Sequence, residues 1–120
     1  IMFYSCAKSW ESLQKIRKSN DAFDIIVRTR SDLWYNETLN YSQLDILEDA
    51  SCKICIPQGS DYMGINDQFA IGPAYLMDTY MNIYNKTSFI KNKPEAILQD
   101  YLHKNNIPIH RFPLNYEILR

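Results

Sequence analysis

Glycine and histidine are scarce in this chain, with three of the first and two of the second among 120 residues. There is no glycine-rich loop to cradle phosphate, no H-E-x-x-H pair and no nucleophile elbow, which excludes the chemistries those motifs carry. No apolar run approaches the roughly 20 residues that cross a bilayer. The opening IMFYSCAKSW lacks the charged lead, apolar core and small-residue cleavage site of a signal peptide, so a cytoplasmic location is the expectation. An excess of one charge is missing too: a formal net charge of -1 supplies no basic face for nucleic acid. Cysteine is sparse and odd in number. Cys52-Lys53-Ile54-Cys55 has C-x-x-C spacing but no second pair for zinc, and it falls in a strand-like run where positions three apart face opposite ways. Buried thiols are expected there. Asn36-Glu37-Thr38, Asn40-Tyr41-Ser42 and Asn85-Lys86-Thr87 match the glycosylation acceptor pattern and, without a signal peptide, read as chance matches.

What is present suits one domain with a modest core: 46% hydrophobic and 22% charged residues in 14.2 kDa. The spacing predicts a first helix over Met2 to Ser19, with Met2, Cys6, Trp10, Leu13 and Ile16 as its apolar stripe. That pattern is already under way at Ile1, which points to a fragment or a processed chain. Phe23 to Thr29 reads as a central strand covered on both faces, because Ile25, Ile26 and Val27 are continuous rather than alternating. A short helix carrying Leu44, Ile46 and Leu47 follows, then a strand over Lys53 to Pro57. Ser60 to Gln68 has loop composition, and Phe69-Ala70-Ile71 is a short strand closed by Gly72-Pro73. Pro73 and Pro94 each suit the first turn of a helix, where the missing N–H costs nothing. Ile107 to Phe112 is the last expected strand, and Pro113 to Arg120 a tail. Helices alternating with short strands give the α/β class.

The chemistry concentrates where the first strand ends. Arg28, Arg30 and Asp32 share one face if the extended geometry continues. Two guanidinium forks suit a phosphate or carboxylate, and Asp32 is a hard oxygen ligand for Mg²⁺ or Mn²⁺. The same three residues also read as an ion-pair network that fastens the sheet edge. Asp67 follows a glycine-containing loop and can take a proton from a hydroxyl, or simply form an Asx-type turn. Asn66 and Gln68 flank it as hydrogen-bonding candidates. His110 sits near the end of the last strand as a possible metal or phosphate ligand. Trp34 and Tyr35 read either as a platform for a ring or as the rim of the core.

Taken together, FDIIVRTRSDLWY, Ile56-Pro57, GINDQFAIG and Pro94-Glu95…Tyr101-Leu102…Ile107-Pro108-Ile109-His110-Arg111 resemble the GT-A-like glycosyltransferases of polysaccharide and lipopolysaccharide clusters. The resemblance covers nearly the whole chain, as the later half of such a catalytic domain. It implies a mixed sheet flanked by helices, and transfer of a sugar from a nucleotide-diphosphate sugar to a hydroxyl on a glycan acceptor. Arg28-Thr29-Arg30-Ser31-Asp32 then stands at the D-x-D position, with Asp32 and the weaker match His110 as metal residues for Mn²⁺ or Mg²⁺. Arg28, Arg30, Asn66 and Gln68 would bind substrate, and Asp67 would be the base. Arg30 departs from the usual earlier carboxylate, which puts metal dependence in question. The segment that grips the nucleotide base in that family would precede Phe23, so the chain alone would lack activity. The rival readings are a non-catalytic α/β module binding carbohydrate or protein, and a metal-dependent phosphoryl hydrolase built on Asp32 and Asp67.

Overall fold

The computed structural model describes residues 2–16, 25–35, 48–83 and 93–119. The expected helix around Leu44, Ile46 and Leu47 and the acceptor patterns at Asn36, Asn40 and Asn85 lie outside the described residues. Within them the class is mixed α/β. Helix α1 (Met2–Ile16) is followed by strands β1 (Ile25–Arg28), β2 (Leu33–Tyr35), β3 (Ile54–Pro57) and β4 (Ala70–Pro73). Helices α2 (Ala74–Met81) and α3 (Pro94–Lys104) come next, then β5 (Ile109–Phe112) and β6 (Tyr116–Ile118). Four strands form a mixed sheet in the order β1-β4-β3-β5. The β1–β4 and β4–β3 pairs are antiparallel, and β3–β5 is parallel. A separate ribbon pairs β2 with β6 antiparallel.

The side-chain period of two sorts the central strands between two cores. Ile54 and Ile56 of β3 and Ala70 of β4 face the larger cluster, which holds Trp10, Met77 and Leu98 from the three helices. Cys55 and Ile71 face the opposite way, into a smaller cluster with Ala50, Phe69 and Phe112. Helix α1 buries Phe3, Cys6, Ala7 and Trp10 and leaves Lys8 and Glu11 exposed. Trp10 Nε1 donates to Asp78 Oδ1 at 2.7 Å and ties α1 to α2. Pro94 opens α3 at its first turn with Glu95 beside it, and His103 and Lys104 lie in its last turn, the charge order a helix dipole favours.

Several expectations are corrected. Strand β1 is an edge strand, not a central one. Ile25 and Ile26 pack against the two clusters, yet Val27 is 49% exposed and Arg28 is the buried residue. The run is covered on both faces at Ile25 and Ile26 but loses that cover at Val27; among the described residues β4 is the one strand paired with β1. Ile16, expected in the stripe, is exposed at the end of α1. The segment read as a tail holds β6, whose short Tyr-Glu-Ile run is too brief to stand out from sequence.

Gly64 fixes how the loop before β4 meets α3. A Cβ there would lie 2.2 Å from the Glu95 backbone carbon, and Ile65 N donates to Glu95 O at 3.0 Å. The obstruction is backbone on both sides, so no side chain can swing away. Gly64→Ala is therefore expected to cost about 3 kcal/mol or more, at the upper end for overpacking. Thermal denaturation reads this directly, and a wild-type Tm would contradict the close approach.

Candidate functional site

Arg28 ends β1 on the same side as Ile26, two residues earlier, and so is drawn toward the larger core. It is 9% exposed, and its Nη1 donates to the backbone carbonyl of Asp67. Burial works against its charge, and the acidic groups around it, Tyr80 (once ionised), Cys6 and Asp67, outweigh that, so the guanidinium stays above its ordinary value. Burial pushes the Tyr80 phenol up, so the neighbour is a neutral hydroxyl at physiological pH.

Beyond β1 the chain turns at Ser31 and Asp32 before entering β2. That tight turn lets Arg30 close a two-pronged fork on Asp32, Nε to Oδ1 at 2.9 Å and Nη2 to Oδ2 at 2.6 Å. Both side chains are more than a third exposed, so solvent screens the pair and leaves it little value as a fastener. Arg30 is held in place, with its charge still accessible.

Asp67 is 7% exposed and lies on the run into β4. Burial raises its carboxyl above the usual range, Glu95 adds to the rise, and Arg28 and Arg30 oppose it. Arg28, Arg30, Asp32 and Asp67 all line one open cavity of about 820 Å³, between Ser9 of α1 and Pro94 at the start of α3. Four of the expected site residues are thus brought together, and they bring both signs of charge.

Three are not. Asn66 has no exposure and is a structural residue: its Oδ1 accepts from Gln68 N at 2.8 Å, and its Nδ2 donates to Gly59 O at 3.0 Å and Tyr116 Oη at 2.8 Å. Gln68 lies beside a second cavity, where its Oε1 accepts from Tyr116 Oη at 2.7 Å. His110 stands on β5, at the opposite edge of the sheet from β1, with Nε2 3.3 Å from Asp49 Oδ2. The separation follows from the strand order, which places β4 and β3 between the two residues.

The expected metal pair, Asp32 and His110, therefore shares no site. Among the described residues no group of three or more His, Cys, Asp or Glu gathers. The donor set at the cavity is thin for a protein-held ion: Asp32 has both oxygens on Arg30. The C-x-x-C pair is split between an exposed Cys52 in a turn and a buried Cys55, whose thiol burial pushes up to about 11.

Sequence reasoning missed Arg111 and Tyr116. Arg111 forks onto Asp61, with Nη2–Oδ1 at 2.6 Å, and also donates to Pro57 O at 2.6 Å. The one sequence signal for Arg111 is a charged residue inside an expected strand. Of the aromatic pair, Trp34 is exposed, while Tyr35 sits edge-on to Phe69 and bonds Thr29 Oγ1.

A family model described as Domain of unknown function (DUF7796) matches residues 5–107. Comparison with curated proteins and with solved structures found no match. Among the described residues no helix is long and apolar enough to cross a membrane.

The raised Asp67 carboxyl has a consequence for stability. Between the unfolded carboxyl value and the higher folded one, the folded state binds more protons, so Asp67 lowers stability as pH rises through that window. Asp67→Asn removes the ionisation. Its Tm should exceed wild type at pH 7, and the gap should close toward pH 4. A lower Tm at pH 7 would show that Arg28 stabilises the carboxylate more than burial opposes it.

Proposed function

The chain belongs to the DUF7796 family, whose description assigns no function, and we propose on the geometry of its site that the cavity binds the diphosphate of a nucleotide sugar and serves transfer of the sugar to a hydroxyl acceptor, a glycan. The observation that carries this reading is the convergence of Arg28, Arg30, Asp32 and Asp67 on one open cavity. The mixed sheet with helices packed on one face is compatible with a GT-A-like domain, and the family resemblance of the sequence supplies the reaction class.

In this reading Arg28 and Arg30 oppose the charge that builds on the departing diphosphate. Asp67, ionised, accepts the proton of the acceptor hydroxyl, and its raised pKa makes it a stronger base than an ordinary carboxylate. The acceptor oxygen forms the new bond to the anomeric carbon as the bond to phosphate breaks, in an inverting displacement. The electron pair leaves with the nucleoside diphosphate and the proton rests on Asp67. A Mn²⁺ or Mg²⁺, if bound, would supply further charge neutralisation; Asp32 is the carboxylate at the cavity that would hold it, although both its oxygens are on Arg30.

A second reading is the non-catalytic α/β module, in which Arg30 and Asp32 are no more than a mutually satisfied, solvent-screened ion pair. Calorimetric titration with UDP, GDP and ADP, with and without Mn²⁺, separates the two. At least one diphosphate should bind, and Arg30→Ala should weaken it about tenfold, the loss of one charge-assisted contact. Asp32→Ala frees Arg30, so metal-free binding should be kept or strengthened while any gain from Mn²⁺ is lost. Absence of heat from all three nucleotides would sink the proposal.

A further inference from the structure

The second cavity is lined by polar groups that the diphosphate reading does not use. It measures about 400 Å³, within the range of roughly 300–1,000 Å³ common for small-ligand sites. Gln58, Ser60, Tyr62, Gln68, Tyr116 and Glu117 line it. It lies across the chain from the first cavity: Asp67 borders one and Gln68, the next residue, borders the other.

The polarity of its inner wall follows from a chain of hydrogen bonds. Backbone Gln68 N donates to the Asn66 side chain, which must present its oxygen there. The other end of that carboxamide is then NH₂, and it donates to Gly59 O and to Tyr116 Oη. Tyr116, having accepted, gives its own proton to Gln68 Oε1. Gln68 is 6% exposed, and with its oxygen engaged its amide N–H groups are left to the cavity. They have no partner among the described residues, and no buried side-chain nitrogen or oxygen there lacks one, which places Nε2 at the cavity surface.

The outer wall comes from the loop after β3. Gly59, Ser60, Tyr62 and Met63 all have positive φ, between 46° and 86°. Asp61 holds this conformation by accepting from Arg111 and from Asn66 N at 2.9 Å. The result is Tyr62, 58% exposed, standing at the lip of the cavity.

We infer that this cavity is a binding site for a neutral saccharide. Among the described residues no Lys, Arg or His lines it and Glu117 does, so the lining disfavours an anion. Donors from Gln68 and Gln58 and acceptors from Glu117 and Ser60 match hydroxyls, which donate and accept at once. The open face of Tyr62 suits the apolar C–H face of a sugar ring. The alternation of donors and acceptors is less suited to a peptide, whose binding here would run along the edge of β6. The site stands independently of what the Arg28–Asp67 cavity does.

The test is titration of ¹⁵N-labelled protein with methyl glucoside, methyl mannoside, methyl galactoside and N-acetylglucosamine, read at the side-chain amides of Gln68 and Gln58. At least one sugar should shift both, and the Arg28 and Arg30 signals should stay put. Gln68→Leu should abolish the shift at Gln58. Tyr62→Ala, at an exposed position that does not threaten folding, should weaken it at least about tenfold. The proposal fails if no sugar shifts these amides, if UDP or a tripeptide shifts them instead, or if Tyr62→Ala binds as wild type does.

Discussion

The carboxamide of Asn66 is the joint on which the rest of the site region depends. It is wholly buried, and it bonds backbone at Gly59 and Gln68 and the hydroxyl of Tyr116, the last of these 50 residues from it in sequence. Three non-glycine residues in the preceding loop, Ser60, Tyr62 and Met63, have positive φ. Such residues cost of order 1–3 kcal/mol each and persist only where surroundings over-determine them. Here the surroundings are Asn66, the Arg111 fork on Asp61 and the contact of Gly64 with α3. A buried amide stripped of its partners adds roughly 1–3 kcal/mol more, so the loop and the carboxamide stand or fall together.

Asn66, Asp67 and Gln68 are consecutive and all buried, yet each serves a different neighbour. Asn66 locks the loop, Asp67 faces the arginines, and Gln68 faces the second cavity. The Asp67 carboxyl is not fully compensated by Arg28, since burial and Glu95 still raise it. The raised Asp67 carboxyl and both arginines border the same open cavity. The raised base and the accessible Arg30 follow from the same geometry: β1 at the sheet edge, ending where the turn to β2 leaves space beside α1.

Much of this was legible in the chain. The alternation at Ile26 and Arg28, Pro94 in the first turn of α3, and the grouping of Arg28, Arg30, Asp32 and Asp67 all carry local signals, whereas Pro73, expected in a first helical turn, ends β4 one residue before α2. The edge position of β1 carried none, because a run such as Ile25-Ile26-Val27 looks alike in a central strand and at an edge. His110 was misplaced for the same reason: strand order decides which strand ends share a rim, and strand order is not written in local pattern. Asn66 was read as a ligand contact because its partners, Gly59 and Tyr116, cannot be paired from spacing. Trp10 with Asp78 and Asp61 with Arg111 were invisible on the same grounds.

In the proposed reading the arginines at the end of β1 form an anion site and not merely an ion-pair network. The most direct measurement follows the Nε–Hε resonances of Arg28 and Arg30 while pyrophosphate is added. The Arg30 signal should shift as its fork leaves Asp32 for the ligand, with a smaller response from Arg28, which is sealed against Asp67 O. If both arginine signals stay fixed while pyrophosphate moves only exposed residues such as Lys8 and Lys15, the arginines are fasteners and the account is wrong.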